Sequence, residues 1–294
     1  MDPRGVLVFV VATSLLVTAS AFTLPSEVAL LQALKANLTA RGPNWAGALN
    51  KKWTCPSNTG DGDCDPCGHM VWWGAWAYLG CRGDTIKQQD ILGGDGHVTN
   101  IHFTNFHAEG PDLPIDQLCV FPHLKELDIT DGTGGTPPIS GTVPQEVVTC
   151  FPRLNAIKFS FNALTGSLPT FIQDAKELQY IKVRNNQMSG TIPPEVAVSP
   201  IMYFLDLQGN QFNGSMPATF KDHPVLSELT LAKNDFSGDL YNLAGANLIY
   251  VSTADNPGLC GMVPATVKYS HGYNPHNTSL GQPCPGATYP PVIM

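Results

Sequence analysis

Short bursts of alternating apolar and polar residues recur through the chain, and in its central part they return every 24 residues. The clearest are "LNAIKFSFNALTGSLP" (154–169), "LQYIKVRNNQMSGTIP" (178–193), "MYFLDLQGNQFNGSMP" (202–217) and "LSELTLAKNDFSGDL" (226–240). A weaker copy, "LKELDITDG" (124–132), is followed by a Gly/Pro-rich loop before "SGTVP" (140–144), and "VTNIHFTNF" (98–106) and "LIYVSTADN" (248–256) flank the set. Alternation with a period of two predicts a half-buried strand in each unit. Ile157/Phe159, Ile181/Val183, Leu205/Leu207 and Leu229/Leu231 are then its inward residues. One unit cannot bury its apolar side alone, whereas stacked copies share a continuous core.

Asparagines 162, 186, 210, 234 and 256 fall at one register. There the chain turns inward, and backbone groups removed from water need partners. A buried amide carries two N–H donors and an acceptor oxygen, so it can satisfy them and bridge neighbouring coils. The glycine that follows allows close backbone approach, and the proline ends the segment where no ladder N–H is required. Ahead of the repeats, Val28, Leu31, Leu34 and Leu38 recur at helical spacing, with Ser26 placed as a cap after Pro25. This predicts a helix that covers the core of the first coil. Repeat arrays need such lids.

The first residues read as an export signal: Arg4, the apolar stretch 6–17 and the small-residue site "ASA" at 19–21. Beyond it no apolar run reaches the length of a membrane span. The division expected is a signal peptide at 1–21, an amino-terminal cap at 22–97, about seven repeats at 98–264, and a carboxyl-terminal cap and tail at 265–294. A net charge of −8 argues against nucleic acid as a partner. With 43% hydrophobic residues beside 28 glycines and 25 prolines, the chain reads as a turn-rich solid and not a disordered one.

Export also decides the cysteine chemistry. Eight cysteines in an oxidising compartment predict disulfides. Cys119 and Cys150 precede the equivalent anchors Leu124 and Leu154, so stacking brings them together, and Cys260–Cys284 would staple the tail. In the amino-terminal cap Cys55–Cys64 and Cys67–Cys81 are the preferred pairs among three that four cysteines allow. The same cysteines with His69 could be read as a zinc site, but oxidation competes with thiolate ligation. "DGDCD" (61–65) fails as a calcium loop, with Pro66 and Trp72 at the positions that need Gly and Glu. His97, His102 and His107 lie five apart, which reverses their face along a strand each time. No metal and no cofactor is therefore expected. Asn37, Asn213 and Asn277 open glycosylation sequons.

The L-x-x-L-x-L-x-x-N-x-L-x-G-x-L-P pattern resembles the leucine-rich repeat, and its G-x-L/I-P ending with a 24-residue period resembles the plant extracellular subclass. "SEVALLQALKANL" (26–38), "CDPC" and "WWGAWAYLGC" (72–81) look like that family's amino-terminal cap, and "NPGLCG" (256–261) like its carboxyl-terminal cap. The subclass includes receptor-like kinase ectodomains, receptor-like proteins and polygalacturonase-inhibiting proteins. The resemblance implies an α/β repeat, a right-handed solenoid with a parallel β-sheet on its concave face and disulfide-stapled caps. It implies a secreted, extracellular or cell-wall location. It also implies that ligands bind along the concave face, with an extracellular protein, peptide or glycan as partner and a membrane receptor as a further one.

The outward positions of that face contain large aromatics and cations, which mere solvation does not require. Tyr180, Phe204 and Tyr250, flanked by Lys158, Lys182 and Arg184, look like the centre of an interface, with Asp206, Gln208 and Glu228 beside them. Trp72, Trp73, Trp76 and Tyr78 are read as packing in the cap. No phosphate loop, H-E-x-x-H or G-x-S-x-G motif and no triad spacing is present, so catalysis is not expected. The first reading is a secreted recognition module in signalling or defence. An inhibitor of a secreted polysaccharide-degrading enzyme is the alternative, and a structural wall or ice-binding protein ranks below both because equivalent outward positions are chemically mixed.

Overall fold

The computed structural model describes residues 25–41, 77–81, 98–103, 112–130, 139–197 and 199–286. Seven strands stack in parallel: β2 (Val98–Phe103), β3 (Glu126–Asp128), β4 (Ala156–Lys158), β5 (Tyr180–Lys182), β7 (Phe204–Asp206), β9 (Glu228–Thr230) and β11 (Tyr250–Ser252). They pair in an unbroken register, with Ile101, Leu127, Ile157, Ile181, Leu205, Leu229 and Val251 in one inward rank. Every inward anchor read from the sequence is buried. In the last coil the final anchor is Thr253, also buried, whose hydroxyl donates to the Asn274 carbonyl at 2.9 Å.

Two features go beyond the sequence reading. An eighth strand, β1 (Ala77–Cys81), adds to β2 in antiparallel sense and covers what would be the open edge of the first coil. The G-x-L/I-P segments also pair among themselves, as β6 (Ser189–Gly190), β8 (Gln211–Gly214), β10 (Asp235–Gly238), β12 (Gly258–Gly261) and β13 (Ser279–Leu280), in a second parallel sheet. Gly214 has φ of +76°, and a Cβ there would lie 2.8 Å from Thr191 Cγ2 of the preceding coil. The repeat glycine thus supplies a left-handed turn and a close approach together.

The asparagine ladder is present. In the Asn210 coil, Oδ1 accepts from the Met188 N–H at 3.1 Å while Nδ2 donates to the carbonyls of Val183 and Leu207, each at 3.0 Å. Asn186, Asn234 and Asn256 repeat this set one coil at a time. Asn162 differs: its amide donates to Ile129, Phe159 and Ser160, but its Oδ1 is buried without a partner. From β8 and β10 of the second sheet the buried rings of Phe212 and Phe236 stack, with centroids 6.3 Å apart.

Helix α1 (Pro25–Ala40) buries Leu34 and Leu38 against the first coil, as expected. It begins at Pro25, and a proline at the first helical position loses no hydrogen bond. After α1, the helices α2 (Ile115–Leu118) and α3 (Glu146–Cys150) end at a disulfide between Cys119 and Cys150. Cys260–Cys284 ties β12 to the tail beyond α4 (Ala265–Lys268). Both pairings agree with the sequence reading. Those of Cys55, Cys64 and Cys67 lie outside the described residues, as do the export signal, the tryptophan cluster and most of the Gly/Pro-rich loop; Cys81 ends β1, with only its backbone described. Replacing Cys260 and Cys284 by serine is expected to cost ~2–5 kcal/mol. Denaturant melting of that variant beside wild type, with the midpoints compared, checks it.

His223 joins two coils and is 4% exposed. Its Nδ1 accepts from the Leu226 N–H at 3.0 Å, so Nε2 carries the proton and donates to the Ser199 carbonyl at 3.1 Å. Burial lowers its pKa below the ordinary value, opposed by the Ser199 bond. The folded state therefore holds the ring neutral where the unfolded chain would protonate it. This contribution is intact above the unfolded value of about 6.5 and is lost as pH falls through the lowered folded value. Thermal melts between neutral pH and about pH 5 should lose less stability in His223→Gln than in wild type. Parallel pH profiles would contradict the assignment.

Candidate binding face

The outward residues of the long sheet stand in two ranks set by the strand register. One runs Asn100, Glu126, Ala156, Tyr180, Phe204, Glu228, Tyr250; the other runs His102, Asp128, Lys158, Lys182, Asp206, Thr230, Ser252. Adjacent strands lie about 4.8 Å apart, so neighbours within a rank touch. Their partners can be read pair by pair.

Tyr180 and Phe204 stack with centroids 3.9 Å apart and planes 6° from parallel. Tyr203, 40% exposed, meets both edge-on at 6.1 and 6.5 Å. Because β4 and β7 flank β5 on opposite sides, Phe204 covers one face of the Tyr180 ring and the Lys158 ammonium, 5.3 Å from the centroid, covers the other. Burial, then the Asp206 carboxylate, pushes the Tyr180 phenol well above its usual range, so it remains a neutral hydrogen-bonding hydroxyl at any physiological pH. Arg184 lies over the Phe161 ring at 5.5 Å, and its Nε is buried without a partner. Among the described residues neither Lys182 nor Arg184 forms an ion pair.

Three sequence expectations change. Asp206 is 3% exposed: it accepts from the Thr230 hydroxyl and the Gln208 N–H, so it organises the sheet and does not present a charge to a ligand. Tyr250 lies two coils from Phe204, and its ring packs against the tail, where a Cβ on Gly272 would fall 2.3 Å from it. It therefore belongs with the carboxyl-terminal cap. Lys158 is engaged by Glu126 and by the Tyr180 ring, which leaves Lys182 and Arg184 as the available cations. Gln208 and Glu228 remain half-exposed beside the aromatic pair.

The amino-terminal end of the same face holds a cluster that five-residue spacing along one strand does not reveal. His102 Nε2 lies 3.4 Å from Glu126 Oε1, and Asp128 sits opposite His102 in the register. Asn100 donates to the other Glu126 oxygen at 3.1 Å. Burial lowers the His102 pKa against the pull of Glu126 and Asp128, and burial raises that of Asp128. The signal was available in the outward ranks, since His102 and Asp128 are neighbours across coils and not along the chain. His97 and His107 lie outside the described residues. The sequon asparagines 37, 213 and 277 are all exposed.

Seven stacked coils, an inward asparagine ladder and a parallel sheet with a polar outer face define the leucine-rich-repeat solenoid. Comparison with solved structures agrees on the fold. Pollen Receptor Kinase 3 superposes with a TM-score of 0.51 at 23% identity, over 73% of this chain and 95% of that one. The ectodomain of the Arabidopsis receptor kinase HAESA, solved with an extended IDA peptide hormone, gives a TM-score of 0.60 at 22% identity, over 83% of this chain and 35% of that one. No family model and no curated protein matches the chain. Among the described residues no helix is long and apolar enough to cross a membrane.

Proposed function

We propose that this protein is a secreted recognition module whose concave face binds an extracellular peptide or an extended segment of a protein. The observation that carries this reading is the stacked Tyr180–Phe204 pair. A sugar stacks on a free aromatic face, and Tyr180 has none, since Phe204 and Lys158 take both. What the Tyr180 ring offers is its edge and a neutral phenol, with two cations nearby that form no ion pair among the described residues, a set suited to an apolar side chain followed by an anionic group. The peptide-bound state of the HAESA ectodomain, a structure of the same fold, supports the same class of partner.

An inhibitor that opposes a basic enzyme cleft would present accessible carboxylates. Here Asp128 and Asp206 are buried and Glu126 is held by Lys158, which leaves Glu228 as the accessible carboxylate among the described outward residues of the strands, too few to favour that reading. A role in signalling or defence, and a membrane receptor as second partner, are part of the same proposal and are supported by the resemblance in fold alone. The test is a binding screen of the purified protein against secreted peptides and wall oligosaccharides in parallel. Peptide binding weakened by Lys182→Glu is expected. Oligosaccharide binding indifferent to Lys182→Glu would overturn the proposal.

A further inference from the structure

We propose that His102, Glu126 and Asp128 form a binding site for a divalent transition-metal ion at the amino-terminal end of the long sheet. Each residue brings one ligand atom, and the three atoms lie within 4.8 Å of one another. Strand pairing places them: His102 and Asp128 are direct partners on β2 and β3, and Glu126 is two residues from Asp128 on the same outward side. The 3.4 Å between His102 Nε2 and Glu126 Oε1 is close to the ~3.3 Å edge of a tetrahedron with ligand bonds of ~2.0–2.1 Å.

Asp128 supplies the second, independent observation. It is 9% exposed, yet its Oδ1 is buried with no hydrogen-bond partner. A buried carboxylate oxygen without a donor is costly, and in a native structure it points to a missing cation or donor. The local charges agree. Glu126 and Asp128 carry two negative charges, and Lys158, the ammonium bonded in the cluster among the described residues, bonds Glu126. Asp128 is left with a side-chain hydrogen bond from Thr130 and no ion pair among the described residues, a charge that a divalent ion at its end of the cluster would offset.

The donor set selects the ion. One imidazole nitrogen with two carboxylates suits zinc or a neighbouring first-row ion, whereas calcium takes six to eight oxygens. Three protein ligands leave a position for water or for a group from a partner. Lys158 is the competitor, because it bonds the same Glu126 oxygen that faces His102. It has another place to go, since it already lies 5.3 Å from the centroid of the Tyr180 ring.

Calorimetric titration of the purified full chain with zinc chloride, and cobalt(II) absorption as a second readout, tests the site. Wild type should bind one equivalent that His102→Ala and Asp128→Asn both lose while their circular dichroism stays native. Lys158→Met should bind that equivalent roughly tenfold more tightly, as expected when a like charge in contact is removed. Lys158→Met adds no ligand and removes no core group, so the test does not depend on the ligand variants folding. Identical titrations of wild type and His102→Ala would overturn the proposal. So would zinc binding seen only in Lys158→Met, which would make the lysine the resident cation, or an equal preference for calcium.

Discussion

Asn210→Ala is expected to lower stability by ~1–3 kcal/mol, the cost of one buried group that loses its partner. That group is the Met188 N–H; the Val183 carbonyl, which Asn210 also reaches, keeps its bond from Asn186. The N–H belongs to the preceding coil, so the damage is an unpaired step between coils and not a lost local turn. A loss of this size is a large share of the stability of an ordinary domain. Asn162→Ala makes the contrast: its Oδ1 receives no hydrogen bond, so the Ile129 carbonyl loses a donor but no backbone N–H is orphaned, and the loss there should be smaller. Thermal or denaturant melts of the two variants beside wild type check this. If Asn210→Ala melts like wild type, or if Asn162→Ala is the more damaging, the bridging role is wrong.

The contrast at Asn162 shows where sequence reasoning reaches and where it stops. Period-two alternation tells which way a side chain leaves the strand, so Leu205 and Leu207 were legible as core and Lys182 as outward. The asparagine register and the Cys119–Cys150 pairing were legible too, because equivalent positions in stacked copies lie side by side. Direction is not depth, however. Asp206 points outward and is still buried, because the Thr230 hydroxyl of the next coil closes over it. Depth depends on which side chains flank it across coils, information held in residues 24 positions away.

The same limit explains the other differences. Tyr250 carried the same alternation signal as Tyr180, but the tail returns over its ring, and nothing in its own repeat announces that. The pairing of β1 with β2 in antiparallel sense arises because an exposed edge recruits a strand from the cap, not from any repeat signature. His102 looked unconnected to the other histidines of its segment because its neighbours, Glu126 and Asp128, come from the next coil.

Loss of recognition from two outward side chains is the other large effect expected. Tyr180 contributes a ring held between Phe204 and Lys158, and Arg184 contributes a guanidinium whose Nε has no hydrogen-bond partner among the described residues. Truncating both removes the ordered edge and one of the two available cations from the same coil. Such anchors carry most of the free energy of an interface. The stability cost is not the near-zero value that outward placement alone suggests, because breaking the aromatic stack costs ~0.5–1.5 kcal/mol. That is a small part of the stability of an ordinary domain, so the variant stays folded. The measurement is the affinity of the Tyr180→Ala/Arg184→Ala variant for the peptide recovered in the screen, taken with its melting curve. Binding abolished with a melting temperature close to wild type is the result expected. Affinity that survives the double substitution in a folded protein would place the binding surface elsewhere.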